Sequence, residues 1–272
     1  MKKIALILMI SLLGNNSIWG QSDTKDSINN LLKKAPHFTI YQDNYFMTGV
    51  SLNESINKNS ADAKFQISFK ERVTNATLPF DTFLYFTYTQ KSFWYIYKNS
   101  SPFSETNYNP ALGLGKFFIN KHGLINLAGI SLEHESNGKD SIYSRSWNRV
   151  SFHYMISFPS STTLFLHAWI PFLYKTDNPD LMKHIGYVEA NFTKKLKNDR
   201  FIIEIMARKG STWESKGSLQ TQISYRISKN NNQYLSIQYF AGYAENLLHY
   251  TEKTNMIRFG ISFKPSNFFL HE

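Results

Sequence analysis

Strict alternation of polar and apolar residues limits this chain more than any other feature. It is clearest in Gly217–Ile227, where Leu219, Thr221, Ile223, Tyr225 and Ile227 share one face of an extended strand and Gln220, Gln222, Ser224 and Arg226 share the other. Similar segments recur at Phe46–Leu52, Lys64–Arg72, Thr82–Gln90, Ala111–Ile119, Leu124–Ser136 and Trp147–Phe158. They continue at Thr162–Ile170, Lys183–Leu196, Phe201–Lys209, Gln233–Tyr243 and Met256–Lys264. Between them lie turn-forming clusters such as Asn53–Asp62, Asn178-Pro179-Asp180 and Ser228–Asn232. About twelve strands, an even number, predict an all-β chain.

Alternation alone fits a water-soluble sandwich as well as a barrel turned inside out in lipid. Aromatic residues make up 16% of the chain. They recur near strand ends, as in Phe93-Trp94-Tyr95, Trp169 with Phe172 and Tyr174, and Tyr239 with Tyr243, the placement that membrane girdles require. Residues 1–20 combine a basic start, Lys2-Lys3, with an apolar run from Ile4 to Leu13 and a polar stretch ending at Gly20. That is the layout of a secretory signal, with the mature chain starting near Gln21. A closed barrel leaves no backbone group unpaired in lipid, so the expected architecture is a twelve-stranded antiparallel transmembrane β-barrel. The expected boundaries are a signal at 1–20, a periplasmic segment at 21–45 and a barrel at 46–272.

The chain has no cysteine and so no disulfides. Its formal charge of +10 is dispersed, with no basic block dense enough for nucleic acid.

Chemistry concentrates in His134-Glu135-Ser136-Asn137-Gly138 and Ser146-Trp147-Asn148-Arg149. On one strand His134 and Ser136 project from the same face, and a turn over Lys139–Ser144 brings Asn148 roughly opposite His134. A serine hydroxyl needs a base to take its proton as it attacks, and His134 is the nearest candidate. Asn148 can hold the second ring nitrogen, though a neutral amide stabilises imidazolium less than a carboxylate does. Asn137-Gly138 offers backbone N–H groups for an oxyanion. Glu135 falls on the opposite face, where it should meet a basic lumen residue. His37, His122, His153, His167, His184, His249 and His271 show no ligand-like spacing and read as turn, girdle or lumen residues.

Three runs in order resemble outer membrane phospholipase A. They are Tyr88-Thr89-Gln90-Lys91-Ser92-Phe93-Trp94, then Ser100 to Tyr108, then His134-x-Ser136-Asn137-Gly138 with Ser144 to Arg149. The resemblance implies a twelve-stranded outer-membrane barrel hydrolysing acyl esters of membrane phospholipids, with lysophospholipase activity as well. Ser136 would be the nucleophile, His134 the base and Asn148 the orienting residue, with the Gly138 amide in the oxyanion hole. It also implies Ca2+ held by Ser144, by the Lys139 carbonyl and by Ser100 from a second subunit, with Ser101 as a substitute for Ser100. The active form would be a homodimer, with Gln90 in the membrane-embedded contact. A passive porin carrying a degenerate triad remains the alternative.

Overall fold

The computed structural model describes residues 35–74, 77–197 and 199–265, together with 28, 30 and 32. The expected signal and His271 lie outside the described residues. The chain divides into residues 1–35 and 36–272. The second unit contains β1 (Phe38–Ile40), β2 (Asn44–Ser51), β3 (Ala61–Arg72), β4 (Phe83–Trp94), β5 (Phe103–Ile119), β6 (Ile125–Ser136) and β7 (Ser146–Phe158). It continues with β8 (Thr162–Phe172), β9 (Val188–Leu196), β10 (Phe201–Lys209), β11 (Gly217–Arg226), β12 (Gln233–Tyr243) and β13 (Lys253–Phe263). A short helix, α1 (Leu181–Ile185), interrupts the β8–β9 connection.

Strands β2 to β13 pair antiparallel with their chain neighbours, and β13 returns to pair with β2, closing twelve strands into a barrel. The short β1 runs along the same edge of β3 that β2 occupies further on. The closed sheet therefore starts at Asn44.

Side-chain parity shows which way the barrel faces. Ile223 pairs with Ile237 and Ile237 with Phe259, and these side chains are 55%, 50% and 53% exposed. One residue along, Gln222, Gln238 and Arg258 are buried in the lumen. An apolar exterior around a polar interior is unfavourable in water and suits lipid. No helix among the described residues is long and apolar enough to cross a membrane, and the strands serve that purpose.

Buried charges in the lumen are paired, as burial demands. Lys64 Nζ lies 3.0 Å from Glu245 Oε1, and Arg258 bridges Glu245 at 2.6 Å and Asp62 at 2.8 Å. Lys264 joins Asp43 to Glu204 lower in the barrel.

The two rims differ. One carries the connections at 73–82, 120–124, 159–161, 197–200 and 227–232, all but the first of six residues or fewer, and the other those at 52–60, 95–102, 137–145, 173–187, 210–216 and 244–252, all of seven or more. Long loops belong to the extracellular side of such barrels.

Beneath the long loops, α1 buries Leu181, Met182 and Ile185 against Trp147, Trp169, Leu247 and Tyr250. This corrects the strand expected from Lys183: Leu181 and Ile185 are one helical turn apart and both face that cluster. Gly186 ends the helix at φ +68, where an added Cβ would stand 1.9 Å from the Lys209 carbonyl oxygen. Trp169 and Phe93 are also corrected: both turn into the barrel instead of joining a girdle. The Trp169 indole donates to the Gly186 carbonyl at 3.0 Å, so its polar edge is satisfied inside.

Candidate active site

The β6–β7 hairpin carries the expected chemistry at the long-loop rim. Its register pairs Glu133 with Arg149, His134 with Asn148 and Ser136 with Ser146. Ile130 and Leu132 are exposed while Ser131 and Glu133 are buried. Alternation therefore sends His134 and Ser136 to the outer, lipid-facing surface. Asn148 shares that surface, because its neighbours Trp147 and Arg149 are buried in the lumen. His134 Nδ1 and Asn148 Oδ1 are 2.9 Å apart, a distance at which the ring N–H donates to the amide oxygen. The backbone carbonyl of His134 accepts from Asn109 Nδ2 at 2.7 Å, fixing the strand from the β5 side.

Behind this face, the lumen side is braced by ions. Arg149 binds Glu133 Oε2 at 2.6 Å and Glu135 Oε2 at 3.0 Å. The Trp147 indole also donates to Glu135 Oε2, at 3.1 Å. Glu135 thus meets the basic lumen partner that its parity required.

The loop 137–145 is organised by buried Asn137. Its side chain accepts from Arg145 N at 3.0 Å and Lys139 N at 3.3 Å and donates to the Tyr143 carbonyl at 2.9 Å. Gly138 follows at φ +65, and a Cβ there would meet the Tyr108 ring at 3.1 Å. Glycine is therefore suited to a backbone that turns at positive φ against an aromatic ring, two residues after Ser136.

The residues expected around a cation fall in two hairpins. Ser144 Oγ donates to Asp177 Oδ2 at 3.2 Å, and Ser146 Oγ donates to the same oxygen at 2.9 Å. Lys139 sends its ammonium to the Ser104 carbonyl at 2.8 Å and to Glu105 at 3.3 Å. Ser100 sits in the β4–β5 loop at φ +62, and among the described residues no hydrogen bond joins it to Ser144 or Lys139. The Ser101 hydroxyl donates to the Ile96 carbonyl at 3.0 Å. Gln90 lies on the outer face, between buried Thr89 and the next strand rung, and accepts from Tyr88 Oη at 3.1 Å.

Asp177 was missed in the sequence, and Asn137 was named there for its backbone N–H and not for the side chain that organises the loop. Asp177 stands immediately before the Asn178-Pro179-Asp180 turn, and its position at the rim is the only signal it carries. The oxygens of Ser144, Ser146 and Asp177 converge at the rim, and oxygens of this kind fit a hard cation such as Ca2+.

The phospholipase A1 family pattern matches residues 23–263. A phospholipase A1 of Salmonella typhimurium is 30% identical over 215 residues, 77% of this chain and 72% of that one. A relative in Neisseria meningitidis serogroup B is 28% identical over 212 residues, 75% of this chain but only 54% of its own length. Among solved structures, the Salmonella typhi outer membrane phospholipase dimer with bound calcium is 26% identical. It aligns with a TM-score of 0.76 over 87% of this chain and 96% of that one. The chain belongs to the phospholipase A1 family, ester hydrolases built as closed barrels of the outer membrane.

Proposed function

We propose that the chain hydrolyses acyl esters of glycerophospholipids at the outer surface of its barrel, with Ser136 as nucleophile, His134 as base and Asn148 as the group that orients it. The observation that carries this reading is the His134–Asn148 hydrogen bond of 2.9 Å on the lipid-facing side of the strand that also presents Ser136. A substrate dissolved in the membrane reaches such a face without entering the lumen. The apolar cluster around Trp147, Trp169 and Leu181 under the long loops speaks against a pore.

In this mechanism Ser136 Oγ attacks the ester carbonyl carbon while His134 Nε2 accepts its proton. Asn148 Oδ1 holds Nδ1–H, so the ring keeps Nε2 free and pointed at the serine. Negative charge on the former carbonyl oxygen meets the Gly138 N–H. His134 then returns the proton to the departing glycerol oxygen, leaving fatty acid esterified to Ser136 and releasing a lysophospholipid. Water deprotonated by His134 cleaves the acyl-enzyme and frees the fatty acid. A lysophospholipid presents the same ester chemistry, so it is a second substrate of the same residues.

Ca2+ would be held by Ser144 Oγ, the Lys139 carbonyl and the Asp177 carboxylate, with Ser100 of a second copy completing the set. When bound, it supplies positive charge near the ester carbonyl. The calcium-bound dimer of the Salmonella typhi relative supports this assembly. Outward-facing Gln90 is suited to a membrane-embedded contact between two copies. Fatty-acid release from a defined phospholipid in micelles, with and without chelator, tests the proposal: release that stops on chelation supports it, and no release under any condition refutes it.

A further inference from the structure

On the lumen side of the catalytic hairpin, three side chains with metal-ligating atoms converge. Glu133 belongs to β6, while His153 and His167 face each other directly across β7 and β8. Fourteen residues separate the two histidines in the chain, so no spacing in the sequence reveals them as a pair. Glu133 Oε1 stands 3.2 Å from His153 Nε2 and 3.5 Å from His167 Nε2. The three ligating atoms lie within 4.8 Å of one another. The two imidazoles stack with centroids 4.5 Å apart and 27° between their planes, which aims both Nε2 atoms at the same carboxylate oxygen.

A tetrahedral ion with bonds of about 2.0–2.1 Å keeps its ligand atoms roughly 3.3–3.4 Å apart. The two oxygen–nitrogen separations bracket that edge. The carboxylate is also divided between two tasks. Its Oε2 accepts from Arg149 Nε at 2.8 Å and Nη2 at 2.6 Å, while Oε1 faces the imidazoles and also accepts from the Ser131 hydroxyl at 2.8 Å. That hydroxyl lies 2.8 Å from His153 Nε2 as well, so a bound ion would replace the Ser131 contacts. A contact like that of Arg149, behind a ligand, is what sets its direction in metal sites. His167 Nε2 is buried and, among the described residues, has no hydrogen-bond partner beyond its 3.5 Å approach to Glu133 Oε1. A buried ring nitrogen in that condition is costly unless another group satisfies it. An entry route exists: Glu133 and His167 line a lumen cavity of about 1020 Å³ that reaches the β7–β8 turn at Ser160 and Ser161.

We propose that Glu133, His153 and His167 bind a borderline transition-metal ion of the zinc type inside the barrel, with water in the remaining position. Two imidazoles and one carboxylate suit such an ion, whereas calcium prefers six or more oxygens. The site is separate from the rim oxygens near Ser144. Glu133 and Glu135 share Arg149, and Lys91 and Arg208 face Glu135 and Glu189 nearby, so the fixed charges in this part of the lumen about balance. The bound ion ties β6, β7 and β8 together from within, and β6 and β7 carry His134, Ser136 and Asn148 on their outer face.

The test is cobalt titration of the full chain folded in detergent, with folding checked by heat-modifiable gel mobility. One cobalt per barrel should bind and give the intense visible absorption of tetrahedral coordination. Zinc should displace it and raise the thermal unfolding midpoint, and excess calcium should do neither. His153→Gln and His167→Gln should each weaken cobalt binding at least tenfold, and His249→Gln should not. If a histidine variant fails to fold, the wild-type barrel still decides through Trp169, whose ring lies 5.0 Å from that of His167. Copper should quench its emission and zinc loaded first should prevent this. Equal cobalt binding by wild type and by a folded His153→Gln/His167→Gln barrel would overturn the proposal. So would the absence of any cobalt absorption or zinc-protected quenching in the wild type.

Discussion

Glu133 and Arg149 are cross-strand partners one rung from His134 and Asn148, so an ion pair of 2.6 Å in the lumen sits back to back with the His–Asn pair on the lipid face. The same two strands present both. The inner pair keeps the register that places Asn148 opposite His134.

Arg149→Met should therefore be damaging. It leaves Glu133 and Glu135 without their shared guanidinium, and removing one partner of a buried ion pair costs about 3 kcal/mol or more. Arg149→Lys should recover less than half, because one ammonium cannot span two carboxylates as the planar fork does. Denaturant unfolding of the detergent-folded barrel measures both.

In the proposed mechanism Asn148 steers His134 and does not react. Asn148→Ala removes one neutral hydrogen bond, worth about 1 kcal/mol, so hydrolysis should fall roughly fivefold and remain measurable. Loss as complete as that of Ser136→Ala would assign Asn148 a larger part than orientation. Initial rates on micellar phospholipid separate the two outcomes.

Glu245, in the loop after β12, makes stability depend on acid. Burial pushes its carboxyl up, but Arg258 and Lys64 outweigh burial and hold it down at about 2. A carboxylate depressed in the folded state stabilises it fully above its unfolded value, and that contribution is lost as pH falls through the folded one. The free energy of unfolding should thus drop between about pH 4.5 and pH 2, by an amount on the order of 3 kcal/mol. Glu245→Gln should start less stable and show a shallower decline across that window.

In the proposed assembly each protomer supplies only part of the oxygen set, so calcium and dimer formation should support each other. Adding calcium with a substrate analogue should move the solubilised protein towards dimers, and chelation should reverse the shift. Ser144→Ala and Asp177→Ala should raise the calcium needed for activity. A cross-linking-verified monomer that stays fully active in excess chelator would remove calcium and dimer from the mechanism while leaving Ser136 chemistry intact.

Much of this structure is legible in the sequence because barrel strands obey a two-residue period. The parity of Gly217–Ile227, the opposition of His134 and Asn148, and the lumen role of Glu135 all follow from alternation and one tight turn. What stays hidden depends on contacts between distant segments. Asp177 reaches Ser144 only because the β8–β9 loop folds over the β6–β7 rim. Trp169 has the composition of a girdle residue, and its inward position is set by Gly186 and α1, which local pattern does not encode. His153 and His167 become neighbours through the β7–β8 register, and Glu133 joins them from a third strand.

The most direct measurement is hydrolysis of a defined phospholipid by Ser136→Ala, compared with wild type at equal amounts of heat-modifiable, folded barrel. Ser136→Ala should fold normally and release almost no fatty acid in the presence of calcium, since the base remains but nothing can be acylated. Release at the wild-type rate would contradict Ser136 as the nucleophile.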